Sequence, residues 1–266
     1  MTTQETATGD TGFSGSGTPS SAQVSFVVAG AQKAGTRALR HYLSQHPNIG
    51  LSRDTAPETH FFNLRAKEAE AGRYDLYHAN FDADALRKPA VGDVTPLYIF
   101  DPAILPRIRR YNPQMKIIVL LRDPVERAYS QWAMQHDLGL EPRTFVAALL
   151  HELYWFCRYG QHILFSYVQR GLYAGQIERL FTHFSPEQCL ILRTEDLRVA
   201  HGKTLSRIHQ FLGVPPHEAP APETVHSRVY PAISPLLRWV LRQLFKRDSR
   251  RLEQILGWDC SDWRSG

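Results

Sequence analysis

Two runs of apolar residues, each ending abruptly in a turn built to receive an anion, constrain this chain more than any other feature. The first, Phe26 to Ala29, meets Gly30; Gly35 and Thr36 follow, and then Ala38, Leu39, Tyr42 and Leu43 recur at helical spacing. The pattern predicts a strand, a tight loop and a helix. Such a turn aims backbone N–H groups and a helix N-terminus at one point, where unpaired donors and the helix dipole favour negative charge. Lys33 adds a full positive charge there. The second run, Met115 to Leu121, is almost unbroken, as in a strand covered on both faces of a parallel sheet. It stops at Arg122; Asp123 is a natural N-cap and Pro124 a natural first helical residue, so a helix is predicted from Pro124 to about His136. Ser130 falls about two turns into it. Arg122 can fork onto a phosphate and Ser130 donate to it, giving a second anion subsite one strand from the first.

Taken singly, each turn has a plainer reading. The first is then a glycine turn with Lys33 in solvent, the second an arginine paired with a cap carboxylate and a serine on a helix surface. The spacing of Gly30 and Gly35 approximates a Walker A loop, but that loop needs Lys and then Ser or Thr directly after the second glycine. Here Thr36 and Arg37 follow, which weakens an ATPase reading.

Further helices are predicted at Thr36 to His46, Pro102 to Tyr111, Arg143 to Leu153, Tyr173 to His183 and Thr204 to Leu212, and short strands at Val91 to Val94 and Cys189 to Leu192. The alternation predicts an α/β fold with a mostly parallel sheet, helices on both faces and ligands at the carboxyl ends of the strands. Tyr154, Trp155, Phe156 and Tyr159 are candidates to line an acceptor cleft, although aromatic runs more often pack. A late helix carries Arg238, Arg242 and Lys246 on one face and Leu236, Val240 and Leu244 on the other; a docked apolar face with the basic face in solvent is preferred to membrane-surface attachment.

With 266 residues and 43% hydrophobic content, the chain can bury one sizeable core, read as a single domain over 23–266. Residues 1–22 are rich in Thr, Ser and Gly, contain no Lys or Arg and predict a flexible tail and not a secretory signal. No run of about 18 apolar residues predicts a transmembrane segment. Cys157, Cys189 and Cys260 suggest neither a disulfide framework nor a zinc knuckle, which favours a reducing, cytoplasmic location. No metal site is expected: after His151 and Glu152, the position needed to complete H-E-x-x-H is Trp155. The net charge of +5 suits a polyanionic ligand. Acidic polysaccharide, nucleic acid or anionic lipid would fit it equally, but no nucleic-acid module accompanies it, so no nucleic-acid partner is expected. Oligomeric state is left open.

GAQKAGTRAL followed by LRDPVERAYS resembles the 5′- and 3′-phosphate motifs of sulfotransferases that use 3′-phosphoadenosine 5′-phosphosulfate (PAPS), especially the heparan-sulfate type and its bacterial relatives. ETHFF (58–62), the pair Thr95 and Pro96, RGLYAGQ (170–176), LRTEDL (192–197), HSRVYP (226–231) and ILGWD (255–259) agree in order, from about Val24 to Trp263. The resemblance implies a three-layer, P-loop-like sandwich, PAPS as cofactor and a saccharide or small-molecule acceptor. It matches Lys33, Ala34, Gly35, Thr36 and Arg37 to the 5′-phosphosulfate loop, Arg122 and Ser130 to the 3′-phosphate, and Arg228 to a late cofactor-binding loop. It also matches Glu58 to the catalytic base and His60 to a further active-site position.

Residue chemistry agrees, because sulfuryl transfer needs a base beside the acceptor, a positive charge at the departing phosphate oxygen and in-line positioning. If ETHFF is extended, Glu58, His60 and Phe62 share one side and Thr59 and Phe61 the other. Taken without the ordered motifs, Glu58 is a solvated carboxylate and His60 a hydrogen-bonded, half-buried histidine. The chain departs from the heparan-sulfate pattern at Asn63 (acidic there) and Val94 (lysine), so polar contacts to the acceptor should differ; at His226 (lysine), so cofactor affinity at the late loop is expected to be weaker or pH-sensitive; and at Ala34 (glycine). Ala34 is tolerable only at negative φ. Two other classes stay open on the residues: a P-loop-like ATP- or GTP-dependent phosphotransferase, and a non-catalytic nucleotide or anionic-polymer binding protein.

Overall fold

The computed structural model describes residues 23–218 and 232–265, so the expected tail over 1–22, together with His226 and Arg228, lies outside the described residues. Five strands, β1 (Phe26–Gly30), β2 (Ile49–Leu51), β3 (Ala90–Val94), β4 (Lys116–Leu121) and β5 (Cys189–Arg193), form one sheet in the order β2-β3-β1-β4-β5. Every pairing is parallel. From β1 the chain goes out to β2 and back through β3, then crosses to β4 and β5 on the other side, so the topological switch lies between β1 and β4. Both apolar runs singled out in the sequence end at that crevice.

Twelve α-helices occur among the described residues: α1 (Thr36–Ser44), α2 (Phe61–Leu64), α3 (Ala66–Glu70), α4 (Asp75–His78), α5 (Ala83–Leu86), α6 (Ile104–Tyr111), α7 (Pro124–Asp137), α8 (Phe145–Tyr159), α9 (Ala174–His183), α10 (Thr194–Val199), α11 (His201–Leu212) and α12 (Pro235–Leu256). Every residue of β1 and β3, and all of β4 except Lys116, is buried, as expected when helices cover both faces of a parallel sheet. The central strands share one core with Leu39, Ile108, Ile177 and Ile208 from the surrounding helices. A second apolar cluster joins α7, α8 and α12 through Val125, Ala128, Phe145, Leu241 and Phe245.

The register explains one residue choice at the centre of the sheet. Phe26 of β1 pairs with Gly92 of β3, and a Cβ built on Gly92 would lie 2.0 Å from the Phe26 ring. The ring therefore occupies the space a side chain would need.

The predicted helices and strands are present with ends shifted by a few residues, most at α8, which runs on to Tyr159. β2, α2 to α5 and α10 were not anticipated. α12 docks the other way round from the expectation: Leu241, Phe245, Ser249 and Leu252 are buried, whereas Leu236 is 72% exposed and Val240 and Leu244 also face outward. The buried row lies beside the basic row, and Arg238 at its edge pairs with Glu126 of α7.

Gly92→Ala is expected to destabilise the fold by at least about 1–3 kcal/mol, the usual cost of forcing atoms into a filled core, read as a lower urea midpoint at unchanged m-value.

Candidate active site

The loop after β1 turns by placing Lys33 (φ 71°) and Gly35 (φ 88°) in the left-handed region. Ala34 between them keeps the ordinary side of φ, so the methyl that replaces a glycine is accommodated; the residue is buried and donates its N–H to Ala31 O at 3.0 Å. Gly35 starts α1, whose first turn contains no carboxylate. Its leading N–H groups, which have no intrahelical acceptor, are thus presented to an anion. Thr36 is buried at this end, and Arg37 is exposed on the same turn.

The second turn is fastened directly to the first. Arg122, just beyond β4, donates to Lys33 O at 3.3 Å, and Tyr173 Oη donates to Arg122 O at 2.9 Å. Asp123 caps α7 as its sequence predicts, accepting from the N–H groups of Val125 (2.8 Å) and Glu126 (3.2 Å). Thr194, at the end of β5, donates to Ala34 O at 2.6 Å and reaches Leu121 O at 3.1 Å, bridging the two loops. Ser130 lies on the buried side of α7, one turn before Met134, whose sulfur is 3.5 Å from Lys33 Nζ. Lys33, Gly35, Thr36, Arg122 and Ser130 therefore gather around the crevice between β1 and β4. An ammonium, a guanidinium, a hydroxyl and free helix N–H groups form a donor set that suits two phosphate groups.

Glu58 and His60 meet as the sequence suggests, with Glu58 Oε2 3.2 Å from His60 Nε2, but on a different backbone. ETHFF is not extended: His60 takes φ 49°, and Phe61 and Phe62 enter α2 and are both fully buried. Thr59 between them is the anchor. Its hydroxyl donates to Asp93 Oδ2 at 2.7 Å, and its N–H donates to Thr95 Oγ1 at 3.2 Å. Asp93, wholly buried within β3, also accepts from Thr95 (2.7 Å), Tyr77 (3.0 Å) and Tyr98 (3.0 Å). Burial raises the Asp93 pKa, and the four hydroxyls oppose that shift. The His60 pKa is raised by its hydrogen bond to Glu58, against the opposing effect of burial, with the Glu58 and Asp93 charges adding to the rise. His60 Nδ1 and the neighbouring Asn63 Oδ1 are buried without a well-formed hydrogen bond.

A recess of about 260 Å³ opens at His60 and is lined also by Gln32, Asn63, Leu64, Leu97, Gln135, Ile163, Leu164 and Arg170. Gln32 precedes Lys33 and Gln135 follows Met134, so the recess adjoins the phosphate-binding crevice. Tyr154, Trp155, Phe156 and Tyr159, expected to line the acceptor cleft, do not border it; they lie along α8, where Trp155 instead contacts His151, Tyr159 and His162. Val94, where a lysine contact differs from the heparan-sulfate pattern, is buried in β3.

Sequence reasoning gave no role to Asp93, Thr194, Gln32 or Arg170. Asp93 had a readable signal, a lone carboxylate inside the apolar run of β3, because such a group must find donors when buried. Thr194 and Arg170 sat in quoted motifs, but what they touch depends on which strands are neighbours.

The sulfotransferase domain model matches residues 24–233. Human bifunctional heparan sulfate N-deacetylase/N-sulfotransferase 3 is 32% identical over 204 residues, 72% of this chain and 22% of that protein. Human heparan sulfate glucosamine 3-O-sulfotransferase 3B1 is 30% identical over 209 residues, 76% of this chain and 48% of that protein. The chain thus spans between about a fifth and about half of the length of these curated relatives. The crystal structure of a sulfotransferase from Alicyclobacillus acidocaldarius superposes with a TM-score of 0.78 at 30% identity, covering 91% of this chain and 99% of that one. The chain belongs to the sulfotransferase domain family and has the three-layer α/β fold of that family. The phosphotransferase and non-catalytic readings are set aside.

The Glu58 contact predicts a titration. Because the folded His60 pKa lies above its ordinary 6.5, the stability this pair contributes is complete below pH 6.5 and is lost as pH rises through the folded value. Glu58→Gln should bring the His60 midpoint down toward 6.5, followed by NMR of the imidazole protons; an unmoved midpoint would show that Glu58 is not what raises it.

Proposed function

We propose that the protein transfers a sulfuryl group from PAPS to a hydroxyl, in preference to an amine, of a saccharide or small-molecule acceptor by in-line displacement. The observation that carries this reading is that the loop of Lys33, fastened to Arg122, adjoins the recess lined by His60, whose Nε2 meets Glu58. When bound, PAPS supplies an electrophilic sulfur and a phosphate leaving group. Lys33, Ala34, Gly35, Thr36 and Arg37 form the cradle for the 5′ end, with the backbone of the loop and the N-terminus of α1 as donors. Arg122 and Ser130 hold the 3′-phosphate, where a guanidinium adds a charge-assisted bond and the hydroxyl a directional one. Arg228, carried over by the resemblance, completes this set from a segment outside the described residues.

Glu58 acts as general base: its carboxylate takes the proton from the acceptor oxygen, and His60 orients that carboxylate through the 3.2 Å contact. The base is free to accept a proton when its partner is the neutral imidazole. Lys33 holds its charge at the bridging oxygen on the leaving side, where negative charge grows during transfer. A metal has no required part in this scheme. The heparan sulfate in the names of the relatives supports a saccharide among the acceptor classes, and the resemblance of the phosphate motifs supports PAPS as the donor.

Glu58→Gln should lower turnover roughly 10²- to 10⁴-fold, the usual scale for a general base. Stabilisation by 3′-phosphoadenosine 5′-phosphate without magnesium, about 2.7 kcal/mol at 100 times Kd, should survive that change; retained turnover would remove Glu58 from the role. Arg122→Ala should weaken this nucleotide far more than the analogue lacking the 3′-phosphate, measured by calorimetry, whereas equal losses would contradict the assignment of Arg122.

A further inference from the structure

Arg170 precedes Gly171 where the chain passes beneath the recess at His60, and it is only 4% exposed. Its guanidinium donates to two neutral acceptors, Gln32 Oε1 and Ile163 O, and stands 5.1 Å from the Phe100 ring. Its Nε is buried without a hydrogen-bond partner. No carboxylate among the described residues forms an ion pair with it. The carboxylate whose charge acts on it is Glu152, whose oxygens are engaged by the N–H groups of Val168 and Gln169 at 2.8–3.1 Å. Glu152 must also serve Arg127, which is completely buried and bonds only to Gln131 and Tyr167 O. Two interior guanidiniums thus share one interior carboxylate, and the one left over borders the recess. Burial depresses the Arg170 pKa to about 9, the mark of a cation short of compensation.

The rest of the recess is of opposite character. Leu64, Leu97, Ile163 and Leu164 give it apolar walls, and its remaining polar groups, Gln32, Asn63 and Gln135, are uncharged amides. A polyanionic chain would need several cations here; the lining offers Arg170 and the His60 imidazole. At about 260 Å³ the recess accommodates only one anionic group and a short apolar segment.

Resting on the transferase reading, we propose that the acceptor is an amphipathic hydroxyl compound with a single anionic group, a carboxylate, sulfate or phosphate. That group docks on Arg170, its apolar body lies along Leu64, Leu97, Ile163 and Leu164, and its hydroxyl reaches Glu58. A buried, unpaired cation is costly, and an incoming anion satisfies it with a charge-assisted bond, which makes Arg170 the specificity-determining residue. The acceptor hydroxyl loses its proton to Glu58 as its oxygen bonds to sulfur, and the anionic group on Arg170 takes no part in bond making.

The test compares the full chain with its Arg170→Met variant, using PAPS and three acceptors of equal chain length: an ω-hydroxy fatty acid, an ω-hydroxyalkyl phosphate and the α,ω-diol. Sulfated products are counted by mass spectrometry, with a heparan-type oligosaccharide as the polyanionic comparison. For the unaltered chain, kcat/KM should be roughly 10- to 100-fold higher for the two anions than for the diol, expressed mainly in KM. Which anion leads identifies the headgroup. Arg170→Met should erase the difference while leaving stabilisation by 3′-phosphoadenosine 5′-phosphate unchanged. Equal use of diol and acids by the unaltered chain, or preference for the oligosaccharide, overturns the proposal even if the variant does not fold. Loss of nucleotide stabilisation in a folded variant overturns it too, by assigning Arg170 to the donor. Failure of the nucleotide to stabilise the unaltered chain would instead bring down the transferase reading on which the proposal rests.

Discussion

A carboxylate sealed inside the sheet fixes the geometry on which this active site depends. Asp93 has no exposed surface and accepts hydrogen bonds from Thr59, Tyr77, Thr95 and Tyr98, three of them at the same oxygen. A lone ionised carboxylate in such a place would cost many kcal/mol, while bonds to a charged acceptor return about 1.5–3 kcal/mol each. Four donors can offset the burial, but only if all four hold their places together. None belongs to β3: Thr95 follows it directly, Tyr98 lies on the segment after it, Tyr77 on α4, and Thr59 in the turn between Glu58 and His60. The cage therefore ties the short helices of the 58–81 region to the central sheet and fixes the backbone that sets the Glu58 carboxylate beside the His60 imidazole. A turn with His60 at positive φ is locally unfavourable, and anchoring from both Thr59 atoms, N and Oγ1, holds it there.

The same economy operates across the crevice. A parallel sheet brings the carboxyl ends of β1, β4 and β5 to one edge, yet proximity alone would leave three loops free to drift. Thr194 closes the set with one hydroxyl shared between Ala34 O and Leu121 O, and Arg122 reaches Lys33 O. These are backbone carbonyls, so what is held is the path of each loop and not merely one side chain. The left-handed turn at Lys33 and Gly35 then leads into α1 beside Arg122, and the positive end of the helix adds to the charges of Lys33 and Arg122.

Legibility in the sequence followed length and periodicity. β1 and β4 declared themselves because a strand buried on both faces must be apolar throughout, and α7 because Asp123 and Pro124 mark its first turn with capping chemistry that the structure reproduces. β2 has three residues, and α2, α4 and α5 have four each, too short to display a period; they are held by tertiary contacts such as the stacking of Phe61 on Tyr77. The Glu58 and His60 pair was legible as chemistry but not as backbone, since alternation and a tight turn can both put residues two apart on one side. For α12 the apolar row at Leu236, Val240 and Leu244 was real but was not the buried one. Leu241 and Phe245 go inward against Val125, Ala128 and Phe145, with Arg238 pairing to Glu126 at the edge. No single-sequence pattern records which row the apolar cluster of α7 and α8 receives.

α7 couples the two halves of the site. Met134 meets Lys33 of the loop after β1, while Gln131 and Gln135 both donate to Leu164 O and so hold one wall of the recess at His60. Gln131 also accepts from Arg127, and Gln135 from Tyr167, which in turn donates to the buried Glu141. Successive helical residues differ by about 100° in direction, so the two rows cannot move independently. The helix thus fixes the Met134 contact with Lys33 and the Leu164 side of the recess relative to each other.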